Sequence, residues 1–141
     1  MTDERSLLTA LLEAAHATVY GYGVLGARLD GAPRSAALLA FDSHRARRDQ
    51  LAARLRERGV SPATTEPAYD VAVADETAAY ALAIRLEEGM SQRWRDLVGG
   101  TDDPALRALA VAGLTETAVR ATQWRLLAGT RPATVALPGS G

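Results

Sequence analysis

Val60-Ser61-Pro62-Ala63-Thr64-Thr65-Glu66-Pro67-Ala68-Tyr69-Asp70-Val71-Ala72-Val73-Ala74 is the stretch on which the fold turns. Two prolines and the lack of a sustained apolar period argue against a helix here. Fully extended, a link of this length reaches roughly 50 Å. A helix of about 25 residues is roughly 38 Å long. The link can therefore carry the chain from one end of a helical bundle to the other.

Amphipathic helices flank it on both sides. The second helix of the chain runs from near Pro33 to about Arg58 and stops at Gly59, a good C-terminal cap. The third starts near Asp75 and ends near Val98, before Gly99-Gly100. Further out, the first helix spans about Glu4 to Leu29, with Thr2 or Asp3 as its cap. Asp30-Gly31-Ala32-Pro33 ends it, and Pro33 suits the first turn of the next helix. The fourth opens with Asp102-Asp103-Pro104, an N-cap followed by an N1 proline, and closes at Gly129. The first-to-second and third-to-fourth links are short, so those pairs form antiparallel hairpins. Two hairpins joined by a long crossover make the ferritin-like arrangement. The expectation is an all-α, up-down four-helix bundle over residues 1–130, with a long crossover between its second and third helices. Residues 131–141 form an extended C-terminal tail that either packs along the bundle or docks elsewhere.

Composition narrows the function classes. At 141 residues, with 48% hydrophobic and 23% charged residues, the chain builds one domain with a sizeable core. A net charge of -1 argues against generic nucleic-acid or membrane-surface binding. All 16 basic residues are Arg, which reads as the codon bias of a high-GC bacterial genome. There is no Cys, which removes disulfides, thiolate metal sites and Cys nucleophiles. Met1-Thr2-Asp3-Glu4 lacks the basic region and apolar run of a signal peptide, and no apolar window is long enough to span a bilayer. A cytoplasmic location is the expectation.

Chemistry-bearing side chains cluster at one level of the four helices: Glu13 and His16 on the first, His44 on the second, Glu87 on the third, Glu116 on the fourth. The second helix's apolar stripe reads Ala37, Phe41, His44, Arg48, Leu51, Leu55, and the third's reads Glu76, Ala79, Ala83, Glu87, Met90, Trp94. His44, Arg48 and Glu87 thus point inward. A buried guanidinium must be paired and hydrogen-bonded, so Arg48, His44 and Glu87 are expected to share a buried network. Glu13 and His16 would reach it from the side. The fourth helix packs through Leu106, Ala110, Gly113, Thr117, Ala121 and Trp124, which turns Glu116 to the edge, where Arg120 can pair with it.

A second stripe on the first helix, Ala10, Ala14, Ala17 and Gly21, is small enough for another backbone to approach closely. A homodimer through that face is the expectation, and a contact inside the same bundle is the bland alternative. Arg47, Arg54 and Arg58 lie on the outer side of the second helix and read as a solvated face rather than a phosphate site, with no aromatic residues interleaved for base stacking. Nucleic acid is therefore not an expected partner.

Tyr20-Gly21-Tyr22-Gly23-Val24, His44-Arg45-Ala46-Arg47-Arg48-Asp49, Pro67-Ala68-Tyr69, Trp124-Arg125 and Val135-Ala136-Leu137-Pro138-Gly139 together resemble an uncharacterised bacterial family of ferritin-like domains. The resemblance implies a ferritin-like bundle with no established activity. The wider ferritin-like group, as the resemblance implies, binds two irons through a Glu on the first helix, Glu-x-x-His on the second, a Glu on the third and Glu-x-x-His on the fourth. Here Phe41 stands where the second helix's Glu belongs and Val119 where the fourth's His belongs. The leading expectation is a non-catalytic interaction or scaffold protein with no cofactor, in which Arg48 replaces the metal's charge in a decayed di-metal site. The alternative is an Fe-, Mn- or Zn-binding protein, or an oxidoreductase, using Glu13, His16, His44, Glu87 and Glu116 as a reduced site. A third reading is a small-ligand pocket lined by Tyr20, Tyr80, Trp94 and Trp124.

Overall fold

The computed structural model describes residues 3–65 and 69–140. Four helices account for most of them: α1 (Glu4–Gly26), α2 (Gly31–Glu57), α3 (Glu76–Gly100) and α4 (Pro104–Ala128). No strand occurs among the described residues. Local sequence sets most of the ends. Asp3 caps α1 by accepting the Ser6 N–H at 2.8 Å, and Asp75 caps α3 by accepting that of Ala78 at 2.8 Å. Asp103 accepts from Ala105 and Leu106 just ahead of Pro104, and Gly129 closes α4 at φ 73°, where a side chain would be strained. Thr2, the other cap considered for α1, and Pro67-Ala68 of the crossover lie outside the described residues.

Two boundaries differ from expectation. α1 stops at Gly26 rather than Leu29, although Leu29 stays buried in the core. α3 continues through Gly99 to Gly100. A Cβ at Gly100 would lie 2.2 Å from the Leu7 side chain, so this glycine serves close packing of α3 on α1 rather than a helix stop.

The helices form two hairpins, α1–α2 and α3–α4. α3 also packs antiparallel against α1, as Leu7 beside Gly100 and Gly21 beside Leu86 show. The chain thus runs up, down, down, up, and α2 and α3 are parallel. Contacts along α1 hold the crossover between them: Ala63 meets His16, Tyr69 meets Tyr20 at a ring separation of 5.3 Å, and the Val73 carbonyl accepts from Arg28 Nε at 2.9 Å. The crossover therefore travels from the α2 end of the bundle to the α3 start.

The core divides into two apolar clusters. One gathers Leu8, Leu12, Leu51, Leu55, Trp94 and Leu106, the other Tyr22, Leu25, Ala37, Ala79, Ala83 and Trp124. Each fully buried Leu contributes roughly 1.5–3 kcal/mol over an exposed one. Between the clusters lies a polar layer. Residues 131–140 fold back on the bundle: Arg125 donates to the Ala133 carbonyl at 3.2 Å and to Glu88 at 2.7 Å. Gly139, at φ 80°, sits so close to Ser91 that a Cβ would come 2.7 Å from its carbonyl oxygen. None of the described helices is long and apolar enough to cross a membrane.

Candidate functional site

The polar layer takes one inward side chain from each of α1, α2 and α3, and two from α4. Glu87 of α3 is its centre and is completely buried. Its Oε1 accepts from the Tyr22 hydroxyl of α1 at 2.6 Å and from His44 Nε2 of α2 at 2.8 Å. Its Oε2 accepts from Arg120 Nη1 of α4 at 3.3 Å. Trp124 Nε1 donates to the Tyr22 oxygen at 2.9 Å, so the tyrosine hydroxyl both gives and receives. His44 stacks on Tyr22 with ring centroids 5.5 Å apart. Burial next to the Glu87 carboxylate pushes the Tyr22 phenol well above its ordinary value, burial being the larger cause. The phenol therefore stays a donor.

Arg120 extends the network outward. Its Nη2 donates to Ser43 Oγ at 2.7 Å and lies 3.6 Å from Glu116 Oε2. Glu116 in turn takes two donors from Arg47. These hydrogen bonds, ahead of the Arg120 charge, hold the Glu116 carboxyl below its ordinary value. Two carboxylates thus meet two guanidiniums, the inner pair shielded and the outer pair partly wet. A second hydroxyl pair, Ser91 to Thr117 at 2.8 Å, links α3 to α4 beside the layer.

Of the expected set, His44 and Glu87 are brought together, and Glu116 lies one step away. The others are not. Arg48 turns along α2 to Asp49, with its Nε 3.1 Å from Asp49 Oδ1, and the guanidinium beside Glu87 belongs to Arg120 instead. The reason is the flank each faces. Ser43 and Arg47 lie on the side of α2 next to α4, whereas Arg48 and Phe41 lie on the side next to α1, lining a hollow with His16 and Tyr20. His16 pins the crossover, its Nε2 donating to the Ala63 carbonyl at 3.0 Å. Glu13 is exposed.

The small-residue stripe of α1 lies partly inside the bundle. A Cβ on Gly21 would come 2.8 Å from Leu86 of α3, Ala14 packs against the core, and Ala10 and Ala17 are half-buried. Gly21 therefore serves the α1–α3 contact. Nor do the four aromatics share one pocket. Trp94 packs so tightly on Gly113 that a Cβ there would come within 2.3 Å of its ring, while Tyr20 meets Tyr69 and Tyr80 meets Trp124. On the outer side of α2, Arg47 and Arg58 reach across to neighbouring helices rather than standing in solvent.

The residues do not fit a di-metal centre. Glu87 has both oxygens occupied by organic donors, Glu13 and His16 point elsewhere, and Phe41 and Val119 offer no ligand atom. Among the described residues no group of three or more His, Asp or Glu is arranged to hold a metal ion. Sequence reasoning missed Tyr22 and Arg120. The signal for Tyr22 was there: a tyrosine on a core seam needs a partner for its hydroxyl. Arg120 carried no such mark, because pairing with Glu116 one turn earlier explained it locally.

The fold and part of the sequence recur in solved structures. A conserved hypothetical protein, rv2844, from Mycobacterium tuberculosis is 32% identical, with 88% of this chain and 96% of that one covered, at a TM-score of 0.85. The H31G mutant of the Listeria innocua Dps protein is 14% identical over 94% of this chain and 97% of that one, at a TM-score of 0.81, and shares the fold. No curated protein sequence matches. The family model described as a domain of unknown function, DUF4439, matches residues 7–141.

Proposed function

This chain belongs to the DUF4439 family of ferritin-like helical domains, and we propose that it is a non-catalytic scaffold or interaction protein of the cytoplasm that works as a homodimer. In this reading the Arg120 guanidinium takes over the charge that a bound metal would supply among the acids of the bundle. The observation that carries it is the saturation of Glu87. A carboxylate removed from water must be neutralised and hydrogen-bonded. Here three side-chain donors, from Tyr22, His44 and Arg120, satisfy both its oxygens. Such a group turns to an ion or a substrate only by giving up a buried bond. Rigid, satisfied polar layers of this kind align helices and fix a single packing.

Elemental analysis tests the reading. Protein purified after growth in iron- or manganese-rich medium is expected to carry well under one metal per chain, with an unchanged melting temperature after chelation. Stoichiometric Fe, Mn or Zn that survives gel filtration overturns it.

A further inference from the structure

On the flank of α2 away from Arg47, a hollow of about 350 Å³ opens between α1, α2 and the crossover. Val19 of α1 and Phe41 of α2 give it apolar walls, while Arg48, His16, Tyr20 and Thr65 give it polar ones. Gly23 lines it too, and a Cβ there would meet nothing closer than Phe41, at 4.0 Å. Two features of this hollow go unexplained by the packing. First, the Arg48 guanidinium has a weak partner. Its side chain is three-quarters buried, yet it pairs at 3.1 Å with its chain neighbour Asp49, an acid 72% exposed. A pair with so wet an acid contributes little. Among the described residues no acid lines the hollow, so its one fixed charge is positive. Second, His16 keeps a nitrogen unused. Its Nε2 is bound to the Ala63 carbonyl at 3.0 Å, whereas its Nδ1 is buried without a hydrogen-bond partner. Buried polar atoms are nearly always bonded, and this one is the sole exception among the described side chains.

We infer that this hollow binds a small monocarboxylate with a compact apolar body, Arg48 taking the carboxylate and Val19 and Phe41 flanking the body. The site goes beyond the scaffold reading and depends neither on a homodimer nor on a metal. Three arguments set the ligand class. A guanidinium presents parallel N–H groups that match the two oxygens of a carboxylate. One positive charge balances one negative charge, whereas a phosphate dianion would lack a second cation. Nor would a phosphate find free backbone N–H groups here, because Arg48 and His16 sit inside their helices and not at an N-terminus. The apolar walls and a volume near the low end of the range for small-molecule sites, roughly 300–1,000 Å³, require a compact body. A bound ligand would also staple the crossover, since Thr65 lines the hollow and His16 holds Ala63.

Phenylacetate tests this on the full chain by amide-resolved NMR titration to roughly 10 mM, where a dissociation constant on the order of 1 mM is expected for a ligand of its size. The shifts should centre on residues 16–24, 41–48 and 63–65. Phenylacetamide keeps the shape without the charge and should bind roughly tenfold more weakly or worse. Arg48→Gln should weaken phenylacetate by a similar factor at an unchanged melting temperature, since it gives up only the pair with Asp49. Gly23→Leu should abolish binding without lowering the melting temperature, because leucine fills the hollow without a clash and favours a helix more than glycine does. The absence of a saturable shift with phenylacetate overturns the inference, as does equal affinity for the amide or for the Arg48→Gln chain. Inorganic phosphate binding in place of phenylacetate would overturn the carboxylate class and give Arg48 to phosphate.

Discussion

Two arginine-centred clusters tie the helices together, and they differ in one respect: water. At mid-height, Arg120 holds Glu87, whose carboxylate is 0% exposed. At one end of the bundle, Arg58 at the close of α2 clamps Glu4 of α1 and the α4 cap Asp103, while Thr101 donates to Glu4 at 2.6 Å. Those acids are 28% and 38% exposed. The end cluster joins three helices yet can be re-solvated when a partner is lost. The central one cannot. The same residue type therefore carries a structural obligation in one place and only a modest contribution in the other.

Breaking the central cluster should have the largest effect. Arg120→Met leaves Glu87 buried without its guanidinium and should cost about 3–5 kcal/mol in urea unfolding. The double change Glu87→Leu with Arg120→Met should recover most of that loss, because the uncompensated charge disappears with its partner. If the double variant is no better than the single one, the cost lies in packing and not in charge.

Tyr22→Phe should come next, at about 1–3 kcal/mol, since it removes a donor from a buried carboxylate and strands the Trp124 N–H. Tyr22 also sharpens the comparison through pH. Its folded pKa lies above the unfolded one, so its contribution is complete below the ordinary tyrosine range and is lost as pH rises through the raised value. Ultraviolet titration should find Tyr22 ionising only as the protein unfolds in alkali, and Tyr22→Phe should flatten that alkaline loss.

The smallest effect belongs to Arg58→Met, at roughly 1 kcal/mol or less, because its acid partners keep contact with water. The Thr101 hydroxyl, and then Arg58, hold the Glu4 carboxyl below its ordinary value. That contribution is present above the unfolded carboxylate pKa and fades as pH falls through the lowered one, so the variant should lose less stability on acidification than the wild type. High salt should also narrow the gap between wild type and Arg58→Met. A salt-insensitive loss of several kcal/mol would erase the contrast between the two clusters.

How much of this was legible beforehand follows from the same contrast. The seam of α4, read as Leu106, Ala110, Gly113, Thr117, Ala121 and Trp124, is buried throughout, as are His44 and Glu87 on theirs. Periodicity alone suffices for that, because a stripe of side chains follows from 3.6 residues per turn. Arg48 and Arg120 were different. Each stands one turn from a buried position, and both have stems long enough to reach inward or outward.

The four helices, their caps, the buried stripe on each and the length of the crossover are written in the chain itself, since they depend on neighbours within a turn or on chain reach. Which helix lies on each flank of a stripe came from three-dimensional packing alone. The order of helices around the bundle placed Arg120 beside Glu87, sent Arg48 toward α1, turned Gly21 of α1 onto α3 and left α2 and α4 apart. Flank identity depends on contacts between segments far apart in the chain, and no local periodicity encodes it.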